Sequence, residues 1–145
     1  MSDEQAIANC IYAYAAGMDL GDFDGVGELL SHCDVTFAGS DGVRRGASAL
    51  SGLYASTTRR YDDGTPKTKH VTTNTAITVD GDHGKASSYF TVFQAVPGML
   101  ALQPIIAGRY DDTFLRHEGA WRFATRHVTV DLVGDLSAHL TFELK

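Results

Sequence analysis

The sequence predicts one α+β domain in which N-terminal helices pack on one face of a curved, mainly antiparallel sheet. Three observations carry that expectation. Up to about residue 60 the apolar side chains recur at helical spacing. Beyond Lys67 the chain turns to long runs rich in β-branched and aromatic residues. The runs are parted by Asp80-Gly81-Asp82, Pro97-Gly98 and Glu118-Gly119, the residue types of tight turns. Helices segregated from a strand meander must bury their apolar stripes against one face of the sheet. With 145 residues and no break in composition, residues 1–145 are expected to form a single domain.

The elements follow in order. Ser2 and Gln5 form a capping-box pattern, and Ile7, Cys10, Ile11, Tyr14, Ala15 and Met18 then repeat along a helix that ends at Gly21. Asp22 can cap a short second helix over Phe23 to Leu30. After the His32-Cys33-Asp34 turn, Val35-Thr36-Phe37 reads as a short strand. Leu50, Leu53, Tyr54 and Thr57 mark a third helix from Ala47 to about Arg60. Four long strands are expected at Lys67–Val79, Lys85–Val96, Ile105–Arg116 and Trp121–Val133. The tail after Gly134 carries no signal.

Composition narrows the function. Hydrophobic residues make up 43% and charged residues 21%, and no apolar run approaches the roughly 18 residues needed to span a bilayer. The acidic start, Ser2-Asp3-Glu4, lacks the basic and apolar regions of a secretory signal, and two isolated cysteines, Cys10 and Cys33, fit a reducing compartment. A cytoplasmic protein with no membrane partner is expected. A net charge of −6 disfavours nucleic acid. The six histidines show no HExxH pattern and no Cys-x-x-Cys exists, so no metal site is expected. GxGxxG, P-loop and G-x-S-x-G patterns are missing too, which points to no cofactor and to acid–base work by ordinary side chains.

Two residues stand out on chemical grounds. His70 lies in Lys69-His70-Val71-Thr72-Thr73-Asn74-Thr75-Ala76-Ile77, where alternation puts His70, Thr72, Asn74 and Ala76 on one face and Val71, Thr73, Thr75, Ile77 and Val79 on the other. A strand histidine taken alone is more often structural than catalytic. Asp19 sits in the last turn of the first helix, where the macrodipole disfavours a carboxylate by about 0.3–1 kcal/mol. Tyr14 falls mid-stripe as a core aromatic whose hydroxyl needs a partner. His127, in the last strand with Trp121, Phe123 and Thr125, can enter the interior, and Arg109 and Arg126 can complete ion pairs.

The blocks Tyr14 to Asp19, Lys69 to Asn74, Ala107-Gly108-Arg109-Tyr110-Asp111 and Glu118-Gly119-Ala120-Trp121-Arg122-Phe123 resemble, in order and spacing, the running pattern of SnoaL-like proteins in the nuclear transport factor 2-like superfamily. The resemblance covers nearly the whole chain and is strongest to the branch with scytalone dehydratase, bile-acid 7α-dehydratase and γ-hexachlorocyclohexane dehydrochlorinase. It implies a cone-shaped fold with a hydrophobic pocket. It also implies an Asp–His pair, here Asp19 and His70, with Tyr14 as pocket hydroxyl. Asn74, Tyr54, Phe90, Arg109 and His127 are expected to touch the substrate.

The function implied is a dehydratase-like lyase acting on a small hydrophobic, oxygenated or polyketide-like molecule. His70 would be general base and Asp19 would fix its tautomer. Family members differ in reaction, so two alternatives stay open. One is a non-catalytic domain binding a hydrophobic small ligand; the other is an isomerase or cyclase with a carboxylate base, for which Asp111 or Asp131 are the available groups. A limonene-epoxide-hydrolase arrangement is disfavoured, because Arg109 and Asp111 fall in the wrong strand. Association into a homo-oligomer, a dimer or trimer, is implied by the resemblance as well.

Overall fold

The protein is described by a computed structural model covering residues 1–144. Three helices, α1 (Asp3–Leu20), α2 (Phe23–Leu29) and α3 (Ala47–Thr57), cover one face of a six-stranded sheet. The strands are β1 (Asp34–Phe37), β2 (Arg44–Arg45), β3 (Thr68–Asp80), β4 (His83–Val96), β5 (Leu100–His117) and β6 (Ala120–Val133). Their order is β2-β1-β6-β5-β4-β3, antiparallel throughout except where β1 runs parallel to β6. This is the α+β architecture the period change predicts, with one added short strand, β2. Among the described residues no helix is long and apolar enough to cross a membrane.

The helix ends follow the chemistry of their sequences. Ser2 accepts the backbone N–H of Gln5, but the Gln5 side chain turns to Asn9 instead of closing the reciprocal box. Gly21 ends α1 in the left-handed region at φ 72°, which leaves its N–H free to cap the carbonyls of Gly17 and Met18. Asp22 caps α2 through Gly25. Helix α3 stops at Thr57, short of Arg60, because Thr58 becomes extended and bridges to Leu140 of the C-terminal segment.

Strand β4 alternates without a break, burying Gly84, Ala86, Ser88, Phe90, Val92, Gln94 and Val96 on the helix-covered inner face. Its neighbours do not keep step. In β3 the register shifts between Thr73 and Ala76, so two residues, Asn74 and Thr75, oppose one. Asn74 adopts φ 53°, a conformation that asparagine tolerates better than most residues. Each extra residue moves the following side chains to the opposite face. The inner face of β3 therefore runs Thr68, His70, Thr72 and then Thr75, Ile77 and Val79, whereas uninterrupted alternation assigned the last three to the other side. In β6 a similar shift at Ala124 keeps Trp121 and Phe123 inside and then brings in Arg126 and Val128.

The core lies between this inner face and the apolar stripes of the helices, with Ile7, Ile11, Tyr14 and Met18 of α1, Phe23 and Val26 of α2, and Leu50 and Tyr54 of α3. Its centre is polar as well as aromatic. Arg126 and Asp112 form a fully buried bidentate pair at 2.8 and 3.0 Å. The guanidinium carbon stands 3.7 Å from the Tyr110 ring centre, 4.4 Å from Tyr14 and 5.0 Å from Phe123. Burial works against the charge, but the charge and hydrogen bonds of the Asp112 carboxylate outweigh it and hold the Arg126 pKa above its usual value.

Candidate active site

Asp19 and His70 are 51 positions apart in sequence and meet where α1 packs against β3. Three donors converge on the carboxylate. Oδ1 accepts the Thr68 hydroxyl at 2.9 Å and lies 2.6 Å from His70 Nδ1, while Oδ2 accepts the His70 backbone N–H at 2.8 Å. This grip offsets the unfavourable position at the negative end of α1. Burial raises the Asp19 pKa, but the hydrogen bonds and charge of His70, with the Thr68 hydroxyl, prevail and leave it below the ordinary carboxylate value. The side chains are 7% and 12% exposed for His70 and Asp19, so the pair is shielded but reachable.

The reachable side is a groove of about 460 Å³, walled by Tyr12, Ala15, Ala16 and Leu20 of α1 and by Lys69 and Thr72 of β3. It is open to one side, and more of its lining is apolar than polar. Tyr14 does not line it. Its ring meets His70 edge-on at 6.5 Å between centroids, and its hydroxyl hydrogen-bonds to Tyr54 at 3.3 Å. Tyr54 and Tyr110, both buried, have pKa values well above the ordinary phenol value, first through burial. Phe90 stacks on Tyr110 at 4.5 Å. Tyr14, Tyr54 and Phe90 thus belong to the aromatic interior behind the pair.

The other expected contacts lie elsewhere. Asn74 is exposed at the bulge, and its place in the sequence block is explained by the backbone it must adopt. Arg109 is on the outer face, paired with Asp131 at 2.9 Å. His127 faces outward too, 2.7 Å from the Thr36 hydroxyl, because the extra residue at Ala124 reverses the alternation that pointed it inward. The same reversal puts Arg126 in the interior, opposite Asp112 and not Asp111. His139, in the tail that carried no sequence signal, is buried, and the charges of His70 and Asp19 act on it. No local pattern could have found it, since its position depends on the tail folding back.

Neither thiol is a candidate nucleophile. Burial pushes the Cys33 thiol up to about 12 and raises Cys10 as well. Among the described residues no three His, Cys, Asp or Glu side chains are grouped to hold a metal ion.

A sequence profile described as SnoaL-like domain matches residues 1–127. No curated protein matches the sequence at a significant level. Among solved structures the chain is similar to an NTF2-like protein with a cystatin-like fold from Novosphingobium aromaticivorans, at 23% identity over 94% of this chain and 86% of that one, with a TM-score of 0.73. A proposed scytalone dehydratase from the same organism gives 18% identity, 97% and 88% coverage and a TM-score of 0.71. A protein of unknown function from Mycobacterium tuberculosis gives 24% identity, 89% and 72% coverage and a TM-score of 0.71. At these identities the likeness is one of fold.

Proposed function

The chain belongs to the SnoaL-like domain family, and from that premise we propose that it is a cofactor-independent, dehydratase-like lyase with His70 as general base. The observation that supports this reading is the carboxylate of Asp19 bonded to Nδ1 of His70 in the wall of an open groove. An ionised carboxylate can only accept, so it keeps the proton of a neutral imidazole on Nδ1 and leaves the Nε2 lone pair for a ligand. Nε2 then takes a proton from a carbon next to an activating group, and Asp19 stabilises the imidazolium that forms. The hydroxyl on the neighbouring carbon then leaves as water, taking the proton held by the His70 imidazolium and returning the base to its neutral form. Tyr14, edge-on to the imidazole and tethered to Tyr54, holds the ring in place; this replaces the direct substrate contact expected of it.

The groove's size fits a small ring system, and its Tyr12, Ala16 and Leu20 wall fits an apolar one. Proton abstraction is testable without the natural substrate. Small ring ketones such as α-tetralone, incubated with the protein in heavy water, should exchange the hydrogens next to the carbonyl faster than in buffer. His70→Gln should abolish the excess. Exchange that persists in His70→Gln would assign the base elsewhere, and an intact ligand recovered from the protein with no exchange would favour a binding domain.

Self-association is expected through the outer face of the sheet, where Val71 and Tyr89 are exposed. Sedimentation of the wild type against Tyr89→Glu tests it.

A further inference from the structure

The C-terminal segment is tied down where β3, β4 and α3 meet. The Arg59 N–H donates to the His139 carbonyl at 2.7 Å, and the Thr141 N–H donates to the Thr57 carbonyl at 3.0 Å. Gln94 Nε2 donates both to the Ala138 carbonyl at 3.0 Å and to the Pro66 carbonyl at 2.9 Å, and the Tyr61 hydroxyl also donates to Ala138. Gln94 is the cross-strand partner of Thr68 on the inner face, and Thr68 holds Asp19. His139 is thereby brought near enough to the Asp19–His70 pair for their charges to act on it, behind the groove wall and not in its lining.

Two buried polar atoms in that corner have no hydrogen-bond partner among the described residues: Gln94 Oε1 and His139 Nδ1. The amide orientation of Gln94 is fixed by chemistry, since the nitrogen must face the two carbonyls and the oxygen is the atom left over. Leaving such atoms unpaired is costly, because each has given up its bond to water. The arrangement therefore calls for a group to complete it. Gln94 Oε1 can only accept, whereas His139 Nδ1 accepts or donates according to its tautomer. A hydroxyl, which both donates and accepts, is the complement.

We propose that His139 is a second ligand-holding imidazole of the Asp19–His70 site, supplied by the folded-back C-terminal segment, and that with Gln94 it receives a hydroxyl of the bound molecule. This rests on the reading of the site as one for a small oxygenated ring and assigns the partners of one of its hydroxyls. Burial, reinforced by the charge of His70 and only partly opposed by Asp19, lowers His139 to about 4. The ring is neutral at neutral pH, so it acts by hydrogen bonding and not as a proton donor of imidazolium type.

The test uses the full-length protein with ring-nitrogen-labelled histidine, α-tetralol as the probe and tetralin, which lacks the hydroxyl, as its control. Saturating α-tetralol is expected to move the ring-nitrogen resonances of both His70 and His139, tetralin to leave His139 unmoved, and His139→Gln to weaken α-tetralol binding roughly tenfold, the loss of about one hydrogen bond. Movement of His70 without His139 would overturn the proposal and leave the His70 base intact. Movement of neither would overturn both. The wild-type resonances decide the matter even where His139→Gln does not fold, and a His139 ring unmoved by either compound identifies it as a residue satisfied by bound water.

Discussion

Replacing Asp19 with asparagine is the sharpest single perturbation of the proposed base. The side chain keeps its size, but only one of its two terminal atoms can still accept. Three donors now meet there: the Thr68 hydroxyl and His70 Nδ1 on one oxygen, the His70 backbone N–H on the other. The backbone donor cannot rotate away, so the amide oxygen must take the Oδ2 position and the NH2 group must face His70 Nδ1. The imidazole answers by moving its proton to Nε2, the nitrogen that is to act as base. Loss of hydrogen bonds to a charged group, about 1.5–3 kcal/mol each, puts the destabilisation at about 2–3 kcal/mol. The wrong tautomer, with general-base catalysis itself worth about 10²–10⁴-fold, should bring proton exchange close to background. Nitrogen-detected NMR reads the tautomer directly, and urea denaturation reads the stability. Should Asp19→Asn keep the proton on Nδ1 and lose under about 0.5 kcal/mol, the Asp19 carboxylate is not what orients the base.

Other expected outcomes concern the groups around the pair. The folded pKa of His139 is depressed, so between pH 6.5 and about 4 the unfolded chain binds a proton that the folded chain refuses. Stability is therefore fully present above pH 6.5 and falls by up to about 3 kcal/mol as pH drops through that window; urea midpoints should show the decline in wild type and a flatter profile in His139→Gln. Asp19 is depressed as well, so its contribution holds above the ordinary carboxylate value of 3.8 and is lost on further acidification, a loss missing in Asp19→Asn. Arg126→Met alone strands a fully buried Asp112 and should cost about 3–5 kcal/mol in chemical denaturation, whereas pairing it with Asp112→Leu should recover much of that. Asn74→Gly should be near neutral and Asn74→Val should cost about 1–2 kcal/mol, because only the latter resists φ 53°.

What the sequence made legible is the part of the structure that depends on regular spacing. The stripe of Ile7, Ile11, Tyr14 and Met18 marks α1 with its last turn at Asp19, and β4 alternates without interruption, so both are readable from period alone. His70 precedes the bulge in β3, so the face it shares with Thr72 is readable from alternation alone. Residues beyond an insertion are not. The extra residues at Asn74 and Ala124 reverse the faces that follow, which is why Ile77 and Val79 share a face with His70 although unbroken alternation puts them on the other, and why Arg126 and not His127 faces the interior. Arg126 is expected from the sequence to form an ion pair, but nothing in the alternation places Asp112 opposite it in the interior. His139 was illegible for a different cause, since nothing in residues 134–144 announces that their backbone will bond to Arg59, Thr57 and Gln94.

The single parallel pairing has a bearing on how the molecule is made. Strand β2 is held by β1, and β1 is held in turn by β6, whose partner residues Thr125 to Val128 leave the ribosome some ninety residues after Asp34 to Phe37. During synthesis the first two strands have no sheet to join, whereas the β3–β4–β5 meander can zip up as it emerges. A nascent chain stalled before Trp121 should carry an unprotected Asp34–Arg45 stretch that proteases cut, and release of the last strand should close it.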